Sequence, residues 1–93
     1  PAASVLHYGQ ALFEGMKAFR QVDGTIAVFR PDYNWERMVM GAERLCLVAP
    51  PRDLFLSGLK RLLEVEARWV PPEENCSLYI RPTLIGTEPF LGV

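Results

Sequence analysis

Tyr79 and Arg81 are the residues whose types and spacing most clearly suggest chemistry in this chain. They lie in the segment SLYIRPTLIGTEPFLGV, residues 77–93, whose first half alternates polar and apolar side chains. A period of two predicts a strand with Tyr79 and Arg81 on one face and Leu78, Ile80 and Leu84 on the other. A phenol hydroxyl beside a guanidinium can orient a carboxylate or another anionic group. An ordinary half-exposed strand with an unremarkable arginine is the alternative, and the residues alone leave both open.

Arg30 is a second candidate, because it ends a predicted strand immediately before a predicted helix. Alternation along that strand places its side chain on the face of Ile26 and Val28, at the rim of a buried surface. A guanidinium there offers a fork of donors to a phosphate or a carboxylate. The alternative is a surface arginine that pairs with Asp32 or Glu36.

The N-terminal run LHYGQALFEGMKAF contains further candidates. Tyr8, Phe13 and Phe19 could line an apolar pocket, but aromatic residues at this spacing more often belong to a core, which is the interpretation we favour. Lys17 alternates with apolar neighbours in a predicted strand and could face a site. Lys60 lies opposite an apolar helix face, where we expect it to be solvated.

The elements that position these residues follow from periodicity. Two strands, 16–20 and 25–30, flank an Asp23-Gly24 turn, which is a hairpin signal. Helices are predicted over about 32–47 and 53–69, and the first presents an apolar stripe of Trp35, Met38, Ala42, Leu45 and Cys46. Gly41 within it suggests close contact with another element. A strand follows, so the order strand, strand, helix, helix, strand predicts an α+β fold with helices packed on an antiparallel sheet.

Composition restricts the class of protein. The chain has 93 residues, 49% of them hydrophobic, and a formal net charge of −1, which predicts a single globular domain. Scattered Lys and Arg give no support to a nucleic-acid or membrane-surface partner. No apolar run approaches a membrane span, and no signal peptide is recognised. Cys46 and Cys76, with His7 as the only histidine, indicate neither a disulfide framework nor a metal site. We expect a cytoplasmic protein with reduced cysteines.

Several segments together resemble one family. LHYGQALFEGMKAFR, the Asp-Gly hairpin, VFRPDYNWERM, AERLCL and SLYIRPTLIGTEPFLGV occur in the same order in the branched-chain amino acid aminotransferases, the class IV (fold type IV) pyridoxal phosphate enzymes. The resemblance extends over almost the whole chain. It implies that residues 1–93 correspond to the small N-terminal domain of a two-domain subunit, with a large domain outside this chain.

The resemblance also implies roles for individual residues. Arg30 is similar to the arginine that binds the phosphate of pyridoxal 5'-phosphate, and Tyr79 and Arg81 are similar to the pair on the carboxylate side of the substrate pocket. Tyr8 and Phe13 are similar to residues that form the pocket walls, with Lys17 close behind them. The residues similar to those lent to a neighbouring subunit's site across a homodimer interface are Tyr8, Leu91 and Val93.

The activity implied is amino-group exchange between leucine, isoleucine or valine and 2-oxoglutarate, with pyridoxal 5'-phosphate as the cofactor. The lysine that bonds to the cofactor belongs to the large domain in this family, and neither Lys17 nor Lys60 matches it. We therefore assign no catalytic residue to this chain and expect it to be inactive alone. The alternatives are a D-amino-acid aminotransferase or an aminodeoxychorismate lyase of the same fold, or a non-catalytic dimerisation or interaction module.

Overall fold

The computed structural model describes residues 1–92 and confirms the predicted α+β fold. The described residues form three α-helices, five strands and one 3₁₀ turn. The helices are α1 (Ser4–Tyr8), α2 (Pro31–Arg44) and α3 (Arg52–Val65), and the 3₁₀ turn is Ala67–Trp69. The strands are β1 (Ala11–Phe13), β2 (Met16–Arg20), β3 (Ile26–Val28), β4 (Leu78–Ile80) and β5 (Thr83–Ile85).

The predicted hairpin is present as β2 and β3, which pair antiparallel. Gly24 takes a φ of 89° in the turn, a conformation that costs glycine little. The turn is further held by the Thr25 hydroxyl, which donates to a carboxylate oxygen of Asp23 at 2.6 Å. The second strand ends at Val28 rather than at residue 30 as predicted, because the chain turns into α2 through Arg30, whose φ is 46°.

The last predicted strand is divided into two. β4 pairs with β2 in a three-stranded sheet of order β3-β2-β4, whereas β5 pairs with β1 in a separate two-stranded sheet. Met16 pairs with Ile80 and Phe13 with Thr83, which is one register, so residues 14 and 15 lie opposite residues 82 and 81. Pro82 has no N–H to donate and interrupts the ladder, but its carbonyl still accepts from the Glu14 amide at 3.0 Å. The two sheets are therefore one long antiparallel pairing with a break.

Both long helices are shorter than predicted. α2 ends at Arg44, so Leu45 and Cys46 lie outside it and are exposed, contrary to the predicted apolar stripe. Cys46 has a φ of 57°, which carries the chain out of the helix. α3 ends at Val65, and the 3₁₀ turn takes the place of its last predicted turn.

The core lies between the sheets and the two long helices. Met16, Ala18, Val70 and Ile80 form its buried centre, and α3 packs against it through Phe55, Leu59 and Leu63. Around α2, Met38 and Ala42 are buried, and a Cβ at Gly41 would lie 3.5 Å from Leu12, in line with the predicted close contact. The molecule is elongated, with extents of 56 × 23 × 21 Å.

The prediction that Tyr8, Phe13 and Phe19 belong to the core is wrong, since all three are exposed. Phe13 and Phe19 alternate with inward-facing residues and therefore lie on the open face of the sheets. Among residues 1–92, no helix combines the length and the apolar character needed to cross a membrane.

Candidate active site

A cavity of about 640 Å³ opens beside the start of α2, and we call it the basic cavity. Its walls come from β2, β4, the turn after β3 and the first turns of α2. The lining residues are Gly15, Met16, Lys17, Phe19, Phe29, Arg30, Tyr33, Asn34, Arg37 and Tyr79. Lys17, Arg30 and Arg37 make it cationic, which suits an anionic ligand.

The sheet brings Lys17 and Tyr79 together. They are direct partners across β2 and β4, and both are exposed, whereas the neighbouring partners Met16 and Ile80 are buried. Directly opposite residues on one face have Cβ atoms about 5 Å apart. Lys17 therefore faces the basic cavity, and its role at a site stays a prediction.

Arg30 also borders this cavity, but it does so differently from the prediction. Ile26 and Val28 pack against the core, whereas Arg30 joins the exposed side chains of Lys17 and Tyr79. Strand alternation does not extend to Arg30 because its backbone is left-handed, with φ 46° and ψ 59°. The predicted face was wrong, and the role of Arg30 at a site stays a prediction.

The guanidinium of Arg30 is held by an aromatic ring. Its carbon lies 3.8 Å from the centroid of the Tyr33 ring, one turn into α2. Within residues 1–92, the ion pairs join Arg37 to Glu14 and Arg61 to Glu64, and neither Asp32 nor Glu36 pairs with Arg30. A cation–π contact orients the side chain and leaves its charge uncompensated. Arg30 can therefore offer its donors to an anion.

Tyr79 and Arg81 share one face of the chain, as the alternation predicted. The Arg81 guanidinium lies 5.5 Å from the Tyr79 ring and 4.1 Å from the Phe13 ring. All three side chains are exposed. This places a hydroxyl, a cation and an apolar ring side by side at the break between the two sheets.

Gly15 leaves space for the Tyr79 ring. A Cβ at Gly15 would lie 2.5 Å from the Tyr79 hydroxyl oxygen and 3.1 Å from two ring carbons. The first separation is shorter than real Cβ atoms show and the others are tight, so a side chain at position 15 would displace the Tyr79 ring. The observed position of the Tyr79 ring thus depends on glycine at position 15.

Glu14 is a residue that the sequence interpretation missed. It is 5% exposed, and its carboxylate accepts from the Asn34 amide at 2.9 Å and pairs with Arg37 Nε at 3.1 Å. The Asn34 amide also donates to the Gly15 carbonyl at 3.1 Å. The available signal was a carboxylate at a position of β-strand alternation that faces inward, since buried charges need partners.

A second concavity, the apolar groove, lies on the other side of Tyr79 and measures about 430 Å³. It runs between α3 and β4 and includes the 3₁₀ turn. The lining residues are Phe55, Gly58, Leu59, Leu62, Glu66, Trp69, Leu78, Tyr79, Ile80, Arg81 and Pro82. Tyr79 lines both concavities, and Arg81 lines the groove.

The remaining predicted site residues lie elsewhere or outside the described part of the chain. The Tyr8 hydroxyl donates to the Gly92 carbonyl at 3.0 Å, and Leu91 is exposed beside it. Neither Tyr8 nor Leu91 lines the basic cavity. Val93 lies outside the described residues. Across residues 1–92, His, Cys, Asp and Glu form no cluster of metal-site size.

Comparison with known proteins identifies relatives of this chain. No protein-family model matches it. It is 53% identical over 93 residues to branched-chain amino acid aminotransferase 1, mitochondrial, of Humulus lupulus, and covers 24% of that protein. It is 54% identical to the cytosolic branched-chain-amino-acid aminotransferase of Mus musculus, covering 24% of it, and 50% identical to branched-chain-amino-acid transaminase 1 of Bacillus subtilis, covering 26%. The resemblance to the branched-chain aminotransferases is thus confirmed along the whole chain, which spans about a quarter of the length of these relatives.

Proposed function

We propose that this chain is the small-domain part of a branched-chain aminotransferase, which exchanges the amino group between leucine, isoleucine or valine and 2-oxoglutarate. The observation that carries the proposal is the basic cavity, where Arg30 and Lys17 meet Tyr79. Relatives that bear the aminotransferase name match all 93 residues, which supports the same conclusion. No observation favours a D-amino-acid aminotransferase, an aminodeoxychorismate lyase or a non-catalytic module.

The residues present fit pyridoxal 5'-phosphate at its phosphate end. The cavity volume of about 640 Å³ falls within the range of small-molecule sites. Arg30, positioned on the Tyr33 ring, would hold the phosphate by charge-assisted hydrogen bonds, and Lys17 would add charge from the adjacent strand. When bound, this cofactor supplies an electron sink for negative charge at the substrate α-carbon.

The side chains at the break between the sheets would bind the substrate. Tyr79 and Arg81 would orient its carboxylate end through a hydroxyl and a guanidinium, and Phe13 would contact its apolar end. An apolar wall distinguishes side chains that differ by one methylene by only about 1–3 kcal/mol. Such a site would accept leucine, isoleucine and valine alike.

The remainder of the subunit and a second subunit complete the proposed enzyme. A large domain would supply the lysine that bonds to the cofactor. In a homodimer, Tyr8, Leu91 and Val93 would reach the neighbouring subunit's site. Tyr8 and Leu91 are exposed and do not line the basic cavity, which supports that assignment. Cytoplasmic localisation remains a prediction, since the relatives' names include cytosolic and mitochondrial forms.

Replacing Arg30 in the full-length enzyme tests the proposal. Arg30→Ala should weaken pyridoxal 5'-phosphate binding by about 10- to 100-fold, because a hydrogen bond to a charged group contributes about 1.5–3 kcal/mol. The ratios of kcat/KM among leucine, isoleucine and valine should change by less than about twofold. Cofactor titration followed by fluorescence measures the first, and steady-state kinetics the second.

Arg61→Ala is the matched control. Arg61 is an exposed arginine of α3 that pairs with Glu64 at 3.3 Å and does not line the basic cavity. The control should retain full cofactor affinity. An Arg30→Ala enzyme with unchanged affinity would refute the phosphate role.

A further inference from the structure

Glu14 is the buried carboxylate to which the proposed chemistry assigns no role. Its side chain is 6% exposed, whereas that of its partner Arg37 is 68% exposed. Removing a carboxylate from water is costly, and a buried ion pair seldom repays that cost in stability alone. A role in positioning neighbouring residues would explain a carboxylate at this buried position.

The hydrogen bonds of Glu14 join three parts of the structure. Its carboxylate contacts Asn34 and Arg37, which belong to the first two turns of α2. Its backbone amide donates to the Pro82 carbonyl, in the link between β4 and β5. Asn34 in turn holds the carbonyl of Gly15, the residue beneath the Tyr79 ring.

These parts carry the two ends of the candidate site. α2 begins directly after Arg30, so Asn34 and Arg37 fix the segment that presents Arg30 to the basic cavity. Gly15 and Pro82 flank Tyr79 and Arg81. A displacement of Glu14 would alter the separation between the Arg30 end and the Tyr79 end.

We propose that Glu14 is a positioning residue, whose carboxylate ties the start of α2 to the Glu14–Gly15 link and thereby sets the position of Tyr79 relative to Arg30. The inference rests on the function proposed above and deepens it. Glu14 would contact neither the cofactor nor the substrate and would act through Asn34, Arg37 and Gly15.

A glutamine cannot replace this carboxylate. Two N–H donors, from Asn34 and from Arg37, converge on its two oxygens. A glutamine amide has one oxygen acceptor, and its NH₂ group would face one of these donors. Glutamine is nearly equal to glutamate in size, but Glu14→Gln would lose the contact with either Asn34 or Arg37.

The test is a double-mutant cycle in the full-length enzyme with Glu14→Gln and Tyr79→Phe. Each single variant should lower kcat by about tenfold or more, because a misplacement of about 1 Å can cost as much as a hundredfold. In the Tyr79→Phe background, Glu14→Gln should lower kcat by less than about twofold, since the group it positions is already lost. Cofactor affinity should change by less than about threefold, because Arg30 keeps its contact with the Tyr33 ring of the same helix.

Hydrogen exchange provides a readout that does not depend on activity. In Glu14→Gln the amides of residues 14–16 should exchange faster, whereas those of α3 should be unchanged. Glu64→Gln is the matched control, since Glu64 forms the exposed ion pair of α3. It should change neither kcat nor exchange at residues 14–16.

The outcomes separate the inference from the function on which it rests. Multiplicative losses in the double variant would overturn the positioning role and leave the aminotransferase proposal intact. Unchanged turnover in Tyr79→Phe would refute the role of Tyr79 and the inference with it. If Glu14→Gln does not fold, the same criteria apply to Asn34→Ala, which leaves the ion pair between Glu14 and Arg37 in place.

Discussion

The basic cavity and the apolar groove meet at the Tyr79 ring but are built in different ways. The cavity takes Lys17, Arg30 and Arg37 from three elements, and a buried carboxylate fixes one of them. The groove is an opening between α3 and β4 with a largely apolar lining. Among the described residues of α3, none is fully buried, so the helix covers the sheet loosely.

The difference indicates that the two regions tolerate change unequally. Contacts of Asn34 and Arg37 with Glu14 hold the start of α2 beside the cavity, and each lost partner leaves a donor or acceptor without its match. Apolar contacts at a half-open groove adjust to a change of volume at smaller cost. Substituting the same residue type, such as glycine, should therefore affect activity or stability differently in the cavity and in the groove.

Gly15→Ala should produce the largest effect. The added Cβ would clash with the Tyr79 hydroxyl and ring and would displace them from the cavity. We expect kcat of the full-length enzyme to fall by about a hundredfold, as for a reacting geometry displaced by about 1 Å. Steady-state kinetics measures this effect, and full activity in Gly15→Ala would show that the placement of Tyr79 is unimportant.

Arg20→Ala should have the next largest effect, and it should act on stability. The Arg20 guanidinium donates to the carbonyls of Ala67 at 2.6 Å, Val70 at 3.1 Å and Gly24 at 3.0 Å, which secures the 3₁₀ turn at the end of the groove. Loss of these bonds should reduce the free energy of unfolding by about 2–3 kcal/mol. Urea unfolding of the full-length enzyme measures it.

Arg52→Ala is the control for this substitution, because Arg52 is an exposed arginine at the start of α3. It should leave the free energy of unfolding within about 0.5 kcal/mol of its original value. Cofactor affinity should be unchanged in both variants. A loss of cofactor affinity in Arg20→Ala would mean that the groove and the cavity are not independent.

Gly58→Ala should have a smaller effect, and it should increase stability, whereas Gly15→Ala should reduce turnover. Gly58 lines the groove within α3, and a Cβ there would meet nothing within 4 Å. Alanine is favoured over glycine inside a helix by about 1 kcal/mol, so the free energy of unfolding should increase by up to that amount. Activity should be retained. Thermal unfolding measures the gain, and a destabilised variant would show that another part of the enzyme occupies this space.

The smallest effect should come from acidification at the hairpin turn, which borders neither concavity. The hydrogen bond from the Thr25 hydroxyl, with a second from the Thr25 amide, holds the pKa of Asp23 below its usual value of 3.8. A lowered pKa in the folded state contributes stability above the unfolded pKa, and this stability is lost as pH falls through the folded pKa. Asp23→Asn should therefore be less stable than the original enzyme near neutral pH, and the difference should diminish below about pH 3–4. A difference that grows on acidification would contradict this assignment.

Much of the fold was predictable because its signals are local. The Asp23-Gly24 turn, the helical spacing of α2 and α3 and the alternation around Tyr79 each depend on neighbouring residues. β1 was not predicted, and β5 was predicted only as a continuation of β4. The break at Pro82 was not predicted, because the alternation of polar and apolar residues continues through it.

The candidate site was predictable only in part, because contacts distant in sequence decide it. Arg20 and Arg30 each end a predicted strand. The Arg20 guanidinium donates to three carbonyls, whereas the Arg30 guanidinium lies over an aromatic ring. No local pattern distinguishes them. Glu14 and Asn34 are 20 residues apart, and their hydrogen bond exists because α2 packs against β1.

The shared register of the two sheets has a consequence for how such sequences can change length. Residues 14 and 15 lie opposite residues 82 and 81. The two links must therefore have equal lengths if both sheets are to keep their register. A one-residue insertion in the 81–82 link would shift β5 against β1 by one position and turn Leu84 outward. Only an equal insertion in the other link would restore the match, whereas the turn at Asp23 can lengthen independently. Natural variation in length should therefore accumulate at the hairpin and occur at the two links only in pairs.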